Sequence, residues 1–314
     1  MNYFDLHCDT AFEMYHKKQP LLCNNLAVSL DGFSGFDKKA QVFAIWSDNK
    51  KSLAEAFGDF FEISENLRKE INENPEKAVL CTDIQTLVSE DTRLKIIPSV
   101  EGIGIIENDV ARLELLREYG VRIVTLGWQG ENSVCGSYDT ELGLSDFGFR
   151  VIEECEKLGM IVDVSHLSEK AFWDVANVSK RPFIASHSNS MSMCNHPRNL
   201  SDTQLRTIVQ NGGIVGVNLV GKHLSKALEE IGPETSENTV FEAVLSHIAN
   251  FVEKGSANSV CLGLDLDGTD PLPGLEKVDK AAKIAEYMEE HGAQSTLIND
   301  IFYNNAYNFF VNNF

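Results

Sequence analysis

Residues 159–166 read GMIVDVSH and residues 181–187 read RPFIASH, two short β-branched runs that each end on a histidine, His166 and His187. Working outward, the N-terminal stretch DLHCD (5–9) places His7 and Asp9 at the end of a third such run. Runs of this length and composition are those of buried strands. In a parallel β/α fold every strand delivers its C-terminal end to the same face. Side chains from three separate strand tips can therefore converge there on one metal site.

Eight such runs can be counted: Tyr3 to Leu6, Gln41 to Trp46, Lys95 to Val100, Val121 to Leu126, Met160 to Val164, Phe183 to Ala185, Ile214 to Leu219 and Val260 to Leu264. Helical patterns lie between them, as in Leu53, Phe57, Phe60, Phe61, Leu67 and Ile71, whose spacing is near 3.6. Ser145, Ser168 and Ser201 stand where helices should start, and Gly120, Gly159 and Gly212 where helices should stop. Strand then helix, eight times, predicts an α/β fold of the (β/α)8, TIM-type barrel class. Residues 1–314 read as a single barrel domain, with Ser295 to Phe314, rich in Phe, Tyr and Asn, as a closing helix.

A chain of 314 residues with 43% hydrophobic content can bury a core of that size. The formal net charge of -20 argues against nucleic acid or an anionic membrane as partner, because the basic runs reach only two residues, as in Lys17-Lys18. Seven scattered cysteines, odd in number and without a CxxC pair, favour reduced thiols over a disulfide framework. With no basic-then-apolar leader and no apolar run of membrane-spanning length, the expectation is a cytoplasmic protein.

On this strand assignment His7, Asp9, Glu101, His166, His187 and Asp265 sit at or just past strand ends. Three imidazoles and three carboxylates would then ring one mouth, enough for two open metal sites with a central carboxylate bridging them. Each residue also has a structural reading. A buried His can be a hydrogen-bonded core residue, Glu101 a salt-bridged carboxylate, and Asp265 and Asp267 turn formers in GLDLDG (263–268). The remaining histidines, His16, His196, His223, His247 and His291, read as surface or loop residues, with His196 and His223 the two that can face a substrate.

The succession DLHCDT, SVEG, DVSHLS, SHSNSMSMCNHPRNLSD and GLDLDG resembles the membrane (renal) dipeptidases, the zinc dipeptidase family of the amidohydrolase superfamily. The likeness runs from about residue 3 to the final helix, and the SHS…RNLSD segment is its most specific part. The resemblance implies two zinc ions, one held by His7 and Asp9, the other by His166 and His187, with Glu101 bridging both. It implies that Arg198 grips the terminal carboxylate of a small dipeptide. Asp265 would take a proton from the metal-bridging water and pass it to the leaving amine. It further implies a homodimer.

Two departures stand out. Animal members carry a further histidine past the fourth strand, thought to assist the carbonyl oxygen. Here that stretch reads TLGWQGEN (125–132), and Trp128 is the nearest equivalent. Trp128 and Asn132 are therefore candidates to shape the substrate pocket, although Trp128 also suits packing at the barrel rim. IFYNNAYNFF (301–310) carries Asn304 and Asn308 where relatives usually show Gly and Arg. Two rivals stay open at this point: a related barrel hydrolase acting on another amide or a lactone, and a non-catalytic metal-binding barrel.

Overall fold

A computed structural model describes residues 1–46, 51–232 and 235–314. Its strands are β1 (Tyr3–Asp5), β2 (Lys39–Trp46), β3 (Ala78–Leu80), β4 (Leu94–Glu101), β5 (Ile123–Thr125), β6 (Ile161–Asp163), β7 (Val215–Val217) and β8 (Val260–Leu262). All pair in parallel, in the order β6-β5-β4-β2-β1-β8-β7. The ring is closed between β6 and β7 by two residues. Ile184 N–H donates to Val162 O at 3.0 Å and Val164 N–H to Ile184 O at 2.8 Å. On the other side Ala185 N–H donates to Ile214 O at 3.1 Å and Gly216 N–H to Ala185 O at 2.9 Å. The result is the (β/α)8 barrel.

Two strand assignments need correction. Phe183–Ala185 forms isolated bridges to Asp163 and Val215 and no ladder. Pro182 has no N–H to extend the pairing, and the chain turns away at Ser186. Conversely, Ala78–Leu80 pairs with Leu94–Ile96 on the edge of β4 that β5 occupies further along.

Serines do start the helices. Ser145, Ser168 and Ser201 accept the backbone N–H of Gly148, Ala171 and Gln204, and Gly159 ends its helix with φ +67°. Strand residues alternate between two clusters. Phe43, Ile96, Val124, Val162 and Val215 face the helices. Phe4, Ala40, Val42, Ile97, Ile123, Ile161, Ile184 and Ile214 face inward and pack with Tyr303, Ala306, Phe309 and Phe310 of the C-terminal segment. That segment is two helices, Ser295–Asn299 and Asn305–Asn313, joined by a π turn. It plugs the N-terminal end of the barrel, where the Phe310 ring stacks on Phe4 at 5.1 Å and Asn305 Nδ2 donates to Val260 O at 2.8 Å. The opposite mouth is left for chemistry. No helix among the described residues is long and apolar enough to cross a membrane.

Candidate metal centre

Buried carboxylates set the strand exits. Asp5 accepts the N–H of His7 at 2.9 Å and of Leu264 at 3.3 Å, so the exits of β1 and β8 lie side by side. Asp163 Oδ1 accepts the N–H of Ser165 at 3.0 Å and of Ser186 at 2.9 Å. Its Oδ2 accepts Thr125 Oγ1 and Ser186 Oγ, each at 2.6 Å. Sequence reasoning passes over both acids. The only signal they give is an Asp two residues before His7 and three before His166. Past the strand ends, His166 and Asp265 adopt left-handed backbone, φ +69° and +62°. Non-glycine residues seldom hold this conformation except where surrounding contacts enforce it.

The six strand-end residues are brought together. His166 Nε2 and His187 Nε2 lie 2.8 Å apart, and Glu101 Oε1 is 3.0 Å from the first and 3.4 Å from the second. Glu101 Oε2 turns the other way, 3.7 Å from His7 Nε2. His7 Nε2 is also 3.5 Å from Asp9 Oδ2 and 3.7 Å from Asp265 Oδ1. His7 is thus shared between two groups of ligand atoms, His7–Glu101–His187 and His7–Asp9–Asp265.

Hydrogen bonding decides which ring nitrogens carry protons. His166 Nδ1 faces the Trp128 carbonyl at 3.0 Å, an acceptor only, so Nδ1 is the donor. Ser186 gives its hydroxyl proton to Asp163, so at 2.7 Å its oxygen accepts from His187 Nδ1. Both Nε2 atoms therefore present lone pairs to each other and to Glu101 Oε1. Three lone pairs at such distances repel unless a cation lies among them, and outer partners of this kind are what fix ligating imidazoles. His7 Nε2, Asp9 Oδ1 and Glu101 Oε1 are also buried without a hydrogen-bond partner. The donor set and its unpaired atoms fit divalent ions.

Burial drives His166 and His187 well down, toward the neutral imidazoles that coordinate, and pushes Glu101 well up, where Asp9 and Asp265 also crowd it with like charge. Burial opposes a charge on His7, yet Glu101, Asp9 and Asp265 outweigh it and raise its pKa to about 10. Burial lifts Asp265 to about 7, with Asp9 adding to the rise and His7 opposing it. Gly268 makes room for this crowding, because a Cβ there would collide with the carboxylates of Asp9 and Asp265.

A cavity of about 730 Å³ opens over the cluster, lined by Asp9, Glu101, Trp128, His166, Arg198 and Asp265, among others. Arg198 is buried, its Nη1 donating to Ser188 Oγ and its Nη2 to His187 O, both at 2.9 Å. Its Nε has no partner. Trp128 lines the cavity beside Trp46, ring centroids 4.7 Å apart. Asn132 does not. Its Nδ2 donates to Leu126 O at 2.9 Å and its Oδ1 accepts the N–H of Val134 and Cys135, so it closes the turn after β5. One histidine differs from expectation: His247 is fully buried, accepting Ser190 N–H and donating to Leu224 O. His223, one of the two read as able to face a substrate, lines the cavity.

Residues 1–311 match the membrane dipeptidase family, peptidase family M19. A Klebsiella pneumoniae protein from the pqqA 5′ region, described as uncharacterised, is 31% identical over 69% of this chain and 81% of its own length. Two further curated relatives, 33% and 30% identical, are matched over 45% and 57% of their lengths. Among solved structures, a Rhodobacter sphaeroides metallo peptidase liganded with a phosphinate mimic of L-Ala-D-Ala superposes with TM-score 0.90 at 23% identity, covering 100% of this chain and 99% of that one. The dipeptidase AC, an M19 metallo peptidase, gives TM-score 0.89 at 25% identity, covering 100% and 98%. With a match that runs nearly end to end, this chain belongs to the membrane dipeptidase family.

Proposed function

We propose that this protein is a dipeptidase that hydrolyses the peptide bond of small dipeptides with two divalent ions, zinc in the native state. His7 and Asp9 would hold one ion and His166 and His187 the other, with Glu101 shared between the two. A mixed imidazole and carboxylate set suits zinc. When bound, such a pair lowers the pKa of a shared water, polarises a carbonyl and offsets negative charge on its oxygen. Arg198 anchors the substrate's terminal carboxylate through Nε, a planar guanidinium donor already held in place by Ser188 and His187. Trp128 forms part of the substrate wall. The Asp265 carboxyl, 3.7 Å from His7 Nε2 on the cavity wall, accepts the proton of the attacking water and returns it to the departing amine nitrogen.

One observation carries this reading: paired imidazole lone pairs and a bridging carboxylate share a cavity with a buried arginine whose Nε is unpaired. A scaffold needs neither the arginine nor a proton-shuttling acid. The test compares dipeptides with their C-terminal amides on metal-loaded enzyme. Dipeptides should be cleaved and the amides disfavoured by about 10²-fold, the cost of leaving a buried cation unpaired. Equal rates would contradict the assignment of Arg198.

Residues 1–314 act as one catalytic unit working in the cytoplasm. Seven free cysteines support the compartment. Pairing into a homodimer rests on the family resemblance and is checked by sedimentation velocity.

A further inference from the structure

Tyr138 belongs to the cavity wall and takes no part in holding that wall together. Its segment follows β5 and doubles back over the exit of β6, where Tyr138 N–H donates to the His166 carbonyl at 2.8 Å and Ser137 bridges Leu167. The backbone is thereby fixed, and the half-buried side chain lines the cavity. Its ring centroid is 6.2 Å from that of His166 and 6.3 Å from that of His196. His196 marks the Arg198 end, since its Nδ1 accepts the Arg198 N–H at 3.2 Å. The phenol also lies close enough to the Arg198 guanidinium to interact with its charge. Among the described residues the Tyr138 hydroxyl has no hydrogen-bond partner. A phenol in a polar cavity normally finds one, so this donor is free for a ligand.

Its position selects the ligand atom. A dipeptide gripped at its carboxylate by Arg198 must run from that residue toward His166 and Glu101, and Tyr138 flanks this interval. The scissile carbonyl lies in it, three covalent bonds from the carboxylate carbon. We propose that the Tyr138 hydroxyl donates a hydrogen bond to the scissile carbonyl oxygen and strengthens it as negative charge gathers there, making Tyr138 a catalytic residue. The proton stays on the phenol oxygen, and no bond to Tyr138 forms or breaks. A preset donor aimed at developing charge acts mainly on the transition state. The inference rests on the dipeptidase reading above.

Tyr138→Phe keeps the ring and removes the donor. Metal-loaded wild type and variant are compared on one dipeptide, and each is titrated with a phosphinate dipeptide mimic, whose tetrahedral phosphorus bears the oxyanion charge. The variant should lose about 10²-fold in kcat with KM changed less than about 3-fold. Phosphinate affinity should fall by the same factor as kcat/KM. An unchanged kcat, a rise in KM alone, or undiminished phosphinate affinity overturns the proposal while leaving the dipeptidase reading intact. Wild type that cleaves no dipeptide overturns both.

Discussion

Ser186 donates a hydrogen bond to Asp163 and accepts one from His187, so a serine hydroxyl and a carboxylate remote in sequence together decide which nitrogen of His187 faces the cavity. This chain of partners makes specific expectations at the residue scale. His187→Ala should lose one metal equivalent by elemental analysis, whereas Asp265→Asn should keep both metals and lose about 10²–10⁴-fold in turnover. Normal turnover in Asp265→Asn would refute its assigned proton transfer. Gly268→Ala pushes a methyl group into Asp9 and Asp265, so metal affinity should drop by about 10-fold or more, as read by competition with a chelating dye. His223 adds a pH dependence. Burial, with Arg198, His196 and Lys222 adding to it, pushes its pKa down to about 2 from an ordinary 6.5. The unfolded chain then binds the proton first, so stability falls as pH drops below 6.5, by at most about 1.4 kcal/mol per pH unit. In His223→Gln, urea unfolding between pH 6.5 and 4 should show a shallower loss than wild type; an identical slope would count against it. The convergence of His7, Asp9, Glu101, His166, His187 and Asp265 was legible because each stands at or just past a strand end. The partners of Asp163, Ser186 and the half-buried Asn132 were not, because they lie far along the chain or are backbone atoms.

At the scale of elements, legibility followed length and punctuation. β2 and β4 are eight residues each, and their apolar runs stand out. Ser145, Ser168 and Ser201 mark helix starts because an N-cap needs only a local side chain. Ala78–Leu80 escaped assignment, and the Phe183–Ala185 run makes bridges and no ladder because Pro182 lacks the N–H that would extend it. The C-terminal helices are the structural counterpart of the catalytic mouth. Phe310 is fully buried against Phe4 at the plugged end, so Phe310→Ala should cost about 3–5 kcal/mol in denaturant unfolding. KM for a dipeptide should not change, because the plug and the cavity occupy opposite ends of the barrel. A shift in KM with no loss of stability would contradict that separation.

For the whole molecule, function depends on closure. The six site residues come from β1, β4, the β6 exit, the Ile184–Ala185 crossing and β8, and only a ring puts those five places around one opening. The wide separation of His7 and Asp265 in sequence becomes 3.7 Å because β1 pairs with β8. Parallel pairing also explains why the six residues share a face, a relation the sequence implies through strand direction and the fold turns into distance. The most direct measurement is hydrolysis of a dipeptide by chelator-stripped protein as zinc is added back in steps. Activity should be absent at the start and rise to a plateau at two equivalents per chain, with His187→Ala failing to reach it. Full activity in the metal-free protein, or a plateau unaffected by His187→Ala, would contradict a two-metal centre at these side chains.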